Sequence, residues 1–240
     1  MENTLYIGMS REKSLRTSLD IISNNIVNAT TTGYRAQNPL FEEYLDKQRG
    51  EKEALSFVMD YGQYDTTKPG TMQLTGGTFD VALSGPGFFG VQTPDGLRYT
   101  RAGNFTTNAS GELTTASGHK VASSGGGSIT IPQDAKDIAI TDDGSISSSS
   151  GVLGRIMIQE FTDPQSLAPE GNGLYKTNES GTTATNTKAV QGTLEGSNVQ
   201  PVLEMTRMIE ISRDYQSIQR LITNEHERQR GAIERLGRVV

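Results

Sequence analysis

The last forty residues place the strongest constraint on this chain. Met208, Ile211, Tyr215, Ile218 and Ile222 recur in a strict three-four alternation, and the register continues through Glu225 and Gln229 to Ala232, Leu236 and Val239. That spacing predicts one apolar stripe along an α-helix. Pro201 stands where a first helical turn accepts proline, and Glu234 and Arg238 are spaced as an i,i+4 pair of favourable polarity. A helix of nearly forty residues is about 55–60 Å long at ~1.5 Å per residue, more than a domain built from this chain could span. Such a helix is expected to project and meet other chains. A second apolar set, Val202, Met205 and Ile209, lies on an adjacent face and widens the stripe beyond a two-helix seam.

The N-terminal end carries the same kind of pattern. Leu15, Leu19, Ile22, Ile26 and Ala29 are spaced by four, three, four and three, and Leu5 shares their register. Arg11, Glu12, Lys13, Arg16 and Asp20 fall mostly off that stripe, on a solvated side. The run Ala29-Thr30-Thr31-Thr32-Gly33 ends the helix, because β-branched residues and glycine disfavour its continuation. Asn24, Asn25 and Asn28 sit beside the seam, where asparagine lowers helix propensity. Asparagine at such a place sets register and partner choice, so a specific packing role is expected for this trio.

Between these ends the composition changes. Residues 1–50 hold six basic and six acidic side chains, and residues 201–240 hold seven and six; residues 51–200 hold nine and sixteen, together with 22 of the 27 glycines. Phe79, Val81 and Leu83 alternate with polar or small residues, and Ile129/Ile131, Ile138/Ile140 and Ile156/Ile158 are short alternating pairs. Turn signals stand at Pro94-Asp95-Gly96, Ala109-Ser110-Gly111, Ser117-Gly118-His119 and Asp142-Asp143-Gly144. Many short strands between glycine turns predict an antiparallel sandwich or open barrel. Residues 171–198, dense in Gly, Thr and Asn, are expected to be irregular and extended.

Residues that perform chemistry are scarce. The chain has no cysteine, no tryptophan and two histidines, which excludes disulfides, thiolate metal sites and a multi-histidine centre. His119 in a turn and His226 on a polar helix face lack a local Ser or Asp partner, and no Gly-x-Ser-x-Gly elbow occurs. Asp142-Asp143-Gly144 lacks the further carboxylates of a calcium loop, and Gly85-Pro86-Gly87 is followed by no Lys-Ser/Thr of a phosphate cradle. Short Asn-x-Ser/Thr matches at Asn28, Asn104, Asn108 and Asn178 are expected by chance in a Thr-rich chain. Hence no catalytic residue, cofactor or metal is expected. A net charge of −6 argues against nucleic acid, and no apolar run reaches the length of a membrane span. The first thirty residues show no apolar core with a cleavage site, so no cleavable secretory signal is expected.

Four segments resemble the flagellar rod and hook protein family. Ser23-Asn24-Asn25-Ile26-Val27-Asn28, the threonines and Gly33-Tyr34-Arg35 are similar to its N-terminal signature. GGTFDVALSGPGFFGV (76–91), RYTRAGNFTTNASGELTT (98–115) and GTLEGSNVQPVLEMTRMIEISRDYQ (192–216) follow in the family's order. Val27 in place of the usual alanine and Pro201 in place of an acidic residue are the departures. The resemblance implies a structural subunit, not an enzyme, that assembles helically with copies of itself and with other rod proteins. It implies export through the flagellar type III apparatus to the periplasmic basal body, without membrane insertion. Tyr34-Arg35-Ala36-Gln37, the ending from Glu225 to Val240 and the short span from Tyr34 to Phe79 point within the family to the proximal rod, with the distal rod as the alternative. A secreted carbohydrate-active β-domain protein is the competing class.

The expected fold is therefore α+β, with terminal helices pairing as a coiled-coil-like bundle around a β-rich middle. Residues 1–33 form an N-terminal assembly helix, 34–74 an extended connector, 75–170 the β-rich domain, 171–200 an irregular return segment and 201–240 a C-terminal assembly helix. The assembly interface is expected at Leu15, Leu19, Ile22, Ile26, Met208, Ile211, Tyr215, Ile218 and Ile222, with Asn24, Asn25 and Asn28 bonding at the junction.

Overall fold

The computed structural model describes residues 2–46, 55–65 and 68–237. Two compact units share the chain: Met1–Val27, Ala36–Thr66 and Val199–Val240 make the first, and Asn28–Arg35 with Thr67–Asn198 make the second. Arg238, Val239 and the Leu236 side chain lie outside the described residues.

The first unit combines helix α1 (Glu2–Val27), helix α2 (Pro201–Gly237) and an antiparallel ribbon of β1 (Gln37–Asp46) and β2 (Leu55–Asp65). α2 begins at Pro201, whose missing N–H costs nothing in a first turn, and Glu204 places an acid near the positive end of the helix dipole. α1 packs on α2 and on both strands. The ribbon occupies part of the segment expected as an extended connector. Its register shifts between Leu40 and Phe41, opposite Gly62 at φ +130°, so one residue bulges and the ribbon bends there.

The second unit is built of β strands, with one short 3-10 helix at Pro164–Ser166. Its strands are β3 (Met72–Leu74), β4 (Val81–Ser84), β5 (Phe88–Thr93), β6 (Gly96–Thr100), β7 (Thr106–Thr107), β8 (Leu113–Thr114), β9 (Lys120–Val121) and β10 (Ala139–Ile140). They continue as β11 (Ser145–Ser148), β12 (Gly151–Arg155), β13 (Ile158–Glu160), β14 (Ala168–Gly171), β15 (Leu174–Lys176), β16 (Thr182–Thr183), β17 (Lys188–Gln191) and β18 (Thr193–Glu195). The largest sheet runs β14-β15-β6-β5-β9-β8-β7, with β13 also on β5 and β16 on β13. β10-β11-β12 form a second sheet, and β17 pairs with β4 and β18 with β3. Every pairing is antiparallel, as expected, but no sheet among the described residues closes on itself, so no closed barrel forms. Strands this short, interrupted by glycine turns, cannot sustain the continuous ladder that closure needs.

All four predicted turns join consecutive strands: β5 to β6, β7 to β8, β8 to β9 and β10 to β11. One expectation is corrected. Residues 171–200 are not irregular, since β15, β16, β17 and β18 lie within them. Each is two to four residues long, so no period shows, yet Ala189 on β17 faces the core and is buried. That core gathers Val81, Leu83, Phe89, Phe105, Leu113 and Val121 with Ile129, Ile140, Ile146 and Ile156. A smaller aromatic cluster, Phe88, Tyr99, Phe161 and Tyr175, stacks edge-to-face beside it.

Candidate assembly interface

Helices α1 and α2 run antiparallel. A Cβ at Gly8 would meet Ile222 at 3.3 Å, Gln219 donates to Glu12 at 3.2 Å, and Asn25 donates to Glu204 at 3.5 Å. As the α1 number rises, the α2 number falls by a similar step, and this register brings Leu15, Leu19 and Ile22 level with Tyr215, Ile211 and Met208. Ile22 is buried, whereas Leu15, Leu19 and Ile26 are half-buried. On α2, Met208, Ile211, Tyr215, Ile218 and Ile222 are likewise half-buried, while most residues around them are exposed. The stripes face a neighbour but are incompletely covered.

The asparagines divide. Asn25 is 2% exposed; its amide donates to the Gln37 carbonyl at 2.9 Å and its oxygen accepts the Gln37 N–H at 2.9 Å. This two-point bond copies a strand pairing and pins the start of β1 to α1, satisfying a buried polar group that would otherwise be costly. Asn24 is exposed. Asn28 belongs to the second unit, where its carbonyl accepts the Thr31 N–H at 3.1 Å in the turns that follow α1.

The second apolar set is uncovered. Val202 is 79% exposed, Met205 51% and Ile209 54%, and Ile233 reaches 69%. Tyr6 and Met9 on α1 and Leu40 and Tyr64 on the ribbon are exposed as well.

A cluster in the second unit escaped the sequence reading altogether. Glu195, on β18, is 1% exposed and Arg101 is fully buried. The Glu195 carboxylate accepts Arg101 Nε at 2.8 Å and lies 2.7 Å from Arg101 Nη2; its other oxygen accepts the Gly70 N–H at 3.1 Å and is 4.0 Å from Arg35 Nη2. Arg101 also donates to the carbonyls of Leu83, Gly85 and Gly87. Both guanidinium groups lie over the Phe88 ring, at 5.4 and 5.7 Å from its centroid. Burial pushes the Arg101 pKa down and Arg35 adds to that, while Glu195 opposes both; an arginine keeps its charge regardless. The Gly-Tyr-Arg, Gly-Pro-Gly-Phe-Phe, Tyr-Thr-Arg-x-Gly and Leu-Glu-Gly segments thus meet at one carboxylate.

Two glycines show how tightly these segments approach. A Cβ at Gly103 would sit 1.7 Å from the Val81 carbonyl oxygen. One at Gly33 would sit 2.5 Å from Arg101 and Ala102 backbone, and φ there is +70°, a region that disfavours side chains. The Gly33 N–H in turn donates to the Glu195 carbonyl at 2.8 Å.

Elsewhere the polar residues serve turns. Asp143 accepts from the Thr141 hydroxyl at 2.6 Å and from the Ser145 hydroxyl and N–H, which hold its pKa down to about 2. Among the described residues no three His, Asp or Glu side chains are grouped to hold a metal, and no helix is long and apolar enough to cross a membrane.

The helical and β segments match known families in the same order. Residues 5–35 match the flagella basal body rod protein family, 82–148 the flagellar hook protein FlgE/F/G D1 domain, and 190–235 the flagellar basal body rod FlgEFG protein C-terminal family. The chain is 41% identical to the flagellar basal-body rod protein FlgF of Caulobacter vibrioides, over the whole of both chains. It is 33% identical to FlgF of Mesorhizobium japonicum over 99% of each chain. It is 34% identical to the flagellar basal-body rod protein FlgG of Bacillus subtilis over 95% of this chain and 96% of that one. The chain belongs to the flagellar basal-body rod protein family.

Proposed function

We propose that this chain is an FlgF-type structural subunit of the proximal rod, the shaft that transmits torque from motor to hook, and not an enzyme. One observation carries the reading: the stripes of α1 and α2 are half-covered, and Val202, Met205 and Ile209 are bare. In the assembly, the α1 stripe packs on the α2 stripe as a coiled-coil-like bundle that lines the inner tube. Leu15, Leu19, Ile22, Ile26, Met208, Ile211, Tyr215, Ile218 and Ile222 form the seam, and Asn24, Asn25 and Asn28 set its register. Residues 1–33 and 201–240 then act as assembly helices, 34–74 as connector, 75–170 as the β-rich middle domain and 171–200 as the return segment. The partners are copies of the chain, other rod proteins and the type III export apparatus that delivers it to the periplasm.

The test is incorporation. Ile22→Asp and Ile218→Asp subunits, checked for export, should fail to enter the rod and abolish motility; normal incorporation of exported subunits would overturn the interface. A distal-rod role is a second reading, favoured by the similarity to FlgG of Bacillus subtilis. Complementation separates the two, because the chain should restore motility to a strain lacking its FlgF-type rod gene and not to one lacking its FlgG-type gene.

A further inference from the structure

Asn172 and Gly173 make the two-residue turn between β14 and β15, where Gly171 pairs with Leu174. Their φ angles are +51° and +70°, the signature of a type I′ hairpin, which Asn-Gly favours. Of the twelve asparagines in the chain, Asn172 alone precedes glycine. Its side chain is exposed, and among the described residues no hydrogen bond holds either its amide or the Gly173 N–H. β14 is the outermost strand of its sheet, is exposed at every residue and carries Pro169, which cannot donate to the ladder. A strand with so little burial opens locally at low cost, although the Gly173 carbonyl accepts from the Thr100 hydroxyl at 2.7 Å and Glu170 pairs with Arg98.

We propose that Asn172 is a covalent modification site, deamidated spontaneously in the folded chain through a cyclic succinimide. The Gly173 nitrogen, losing its proton to base, attacks the Asn172 side-chain carbonyl carbon. A carbon–nitrogen bond forms, the bond from that carbon to the side-chain nitrogen breaks, and ammonia leaves with the proton. One water then opens the ring. Cleavage at the former side-chain carbonyl gives aspartate, and cleavage at the main-chain carbonyl gives isoaspartate, with the backbone rerouted through the side chain. No oxidant or cofactor takes part. Gly173 lacks a Cβ that would shield its nitrogen. Either product adds a negative charge two residues from Glu170, which is paired with Arg98.

The molecule contains its own control. Asp143-Gly144 could close the same ring, but the Asp143 carboxylate is held by Thr141 and Ser145, and the buried Gly144 donates its N–H to the Thr141 carbonyl at 2.8 Å. That turn should stay intact while Asn172 reacts.

The full-length chain, incubated folded at neutral and mildly alkaline pH, is digested and mapped by mass spectrometry, with isoaspartate detected by enzymatic methylation. Asn172 should convert before any other asparagine, faster at the higher pH, and give both acids. The Asn172→Gln chain should lose the early product, because a glutamine side chain closes the corresponding ring far more slowly. Three results would overturn the proposal: conversion of another asparagine first, persistence of the early product in Asn172→Gln, or conversion of Asn172 only after the chain is denatured.

Discussion

The two units bury apolar surface in opposite ways. Of the 24 hydrophobic residues buried among the described residues, the first unit holds Ile21, Ile22 and Val199, and the second holds the other 21. The first keeps Val202, Met205, Ile209 and Ile233 in solvent, although its helices are the longest elements of the chain. Most helical stability comes from packing of the apolar face. The second unit has a closed apolar core, whereas the first leaves apolar residues of its helices in solvent. Sequence length in regular structure says little about which region carries the stability.

The largest expected effect lies in the complete unit. Glu195→Ala leaves Arg101 buried without its carboxylate, at a cost of about 3–5 kcal/mol. Denaturant titration should show loss of the cooperative unfolding of the β unit; a midpoint like that of the parent chain would mean that the ion cluster does not hold it. In the incomplete unit, Ile218→Ala should cost ~2–5 kcal/mol once its half-buried site is filled. On the proposed assembly, the loss should appear as failed rod incorporation, with the β unit's denaturation midpoint unchanged. Limited proteolysis sharpens the contrast further. Cuts should fall within residues 1–27 and 199–240 before any in 75–170, and equal resistance of both regions would break the comparison.

Acid should produce a smaller change. Hydrogen bonds from Lys120, Asn108 and Ser128 hold Glu112 down to about 2 from an ordinary 4.5, and those from Thr141 and Ser145 hold Asp143 down to about 2 from 3.8. With folded values below the unfolded ones, their stabilisation is full above pH 4.5 and is lost as the pH falls towards 2. The denaturation midpoint of the β unit should decline over that window, and less so at high salt, since both groups meet solvent. Arg11→Ala, on an exposed face of α1, should change stability by less than ~0.5 kcal/mol and leave motility intact.

Much of this was legible in the chain itself. A stripe such as Met208 to Ile222 repeats a local period, and Asp142-Asp143-Gly144 states its turn within three residues. β17 and β18 were not legible, because strands of three or four residues carry no period and rely on partners, β4 and β3, more than a hundred positions earlier. The ion cluster was hidden for the same reason. Arg35, Arg101 and Glu195 are ordinary surface residue types, and nothing near any of them announces burial. Only their presence inside three signature segments marked them, and a signature does not state its physics. Asn25 is intermediate: its place beside the seam was visible, but its bond to Gln37 depends on where β1 starts.

Glu195 also imposes an order on events in time. Its carboxylate binds Arg101 and the Gly70 N–H, 94 and 125 positions upstream, and its carbonyl receives Gly33 from farther still. Contacts so distant in sequence require long loops to be closed before any reward arrives, which slows folding and makes it conditional on the late segment. A chain delivered from its N-terminus through a ribosome or a narrow conduit cannot finish its β unit until residue 195 has emerged. Up to that point the buried guanidinium of Arg101 has no counter-charge, and the compact state is out of reach. The same carboxylate that locks the finished unit therefore keeps the unfinished one threadable.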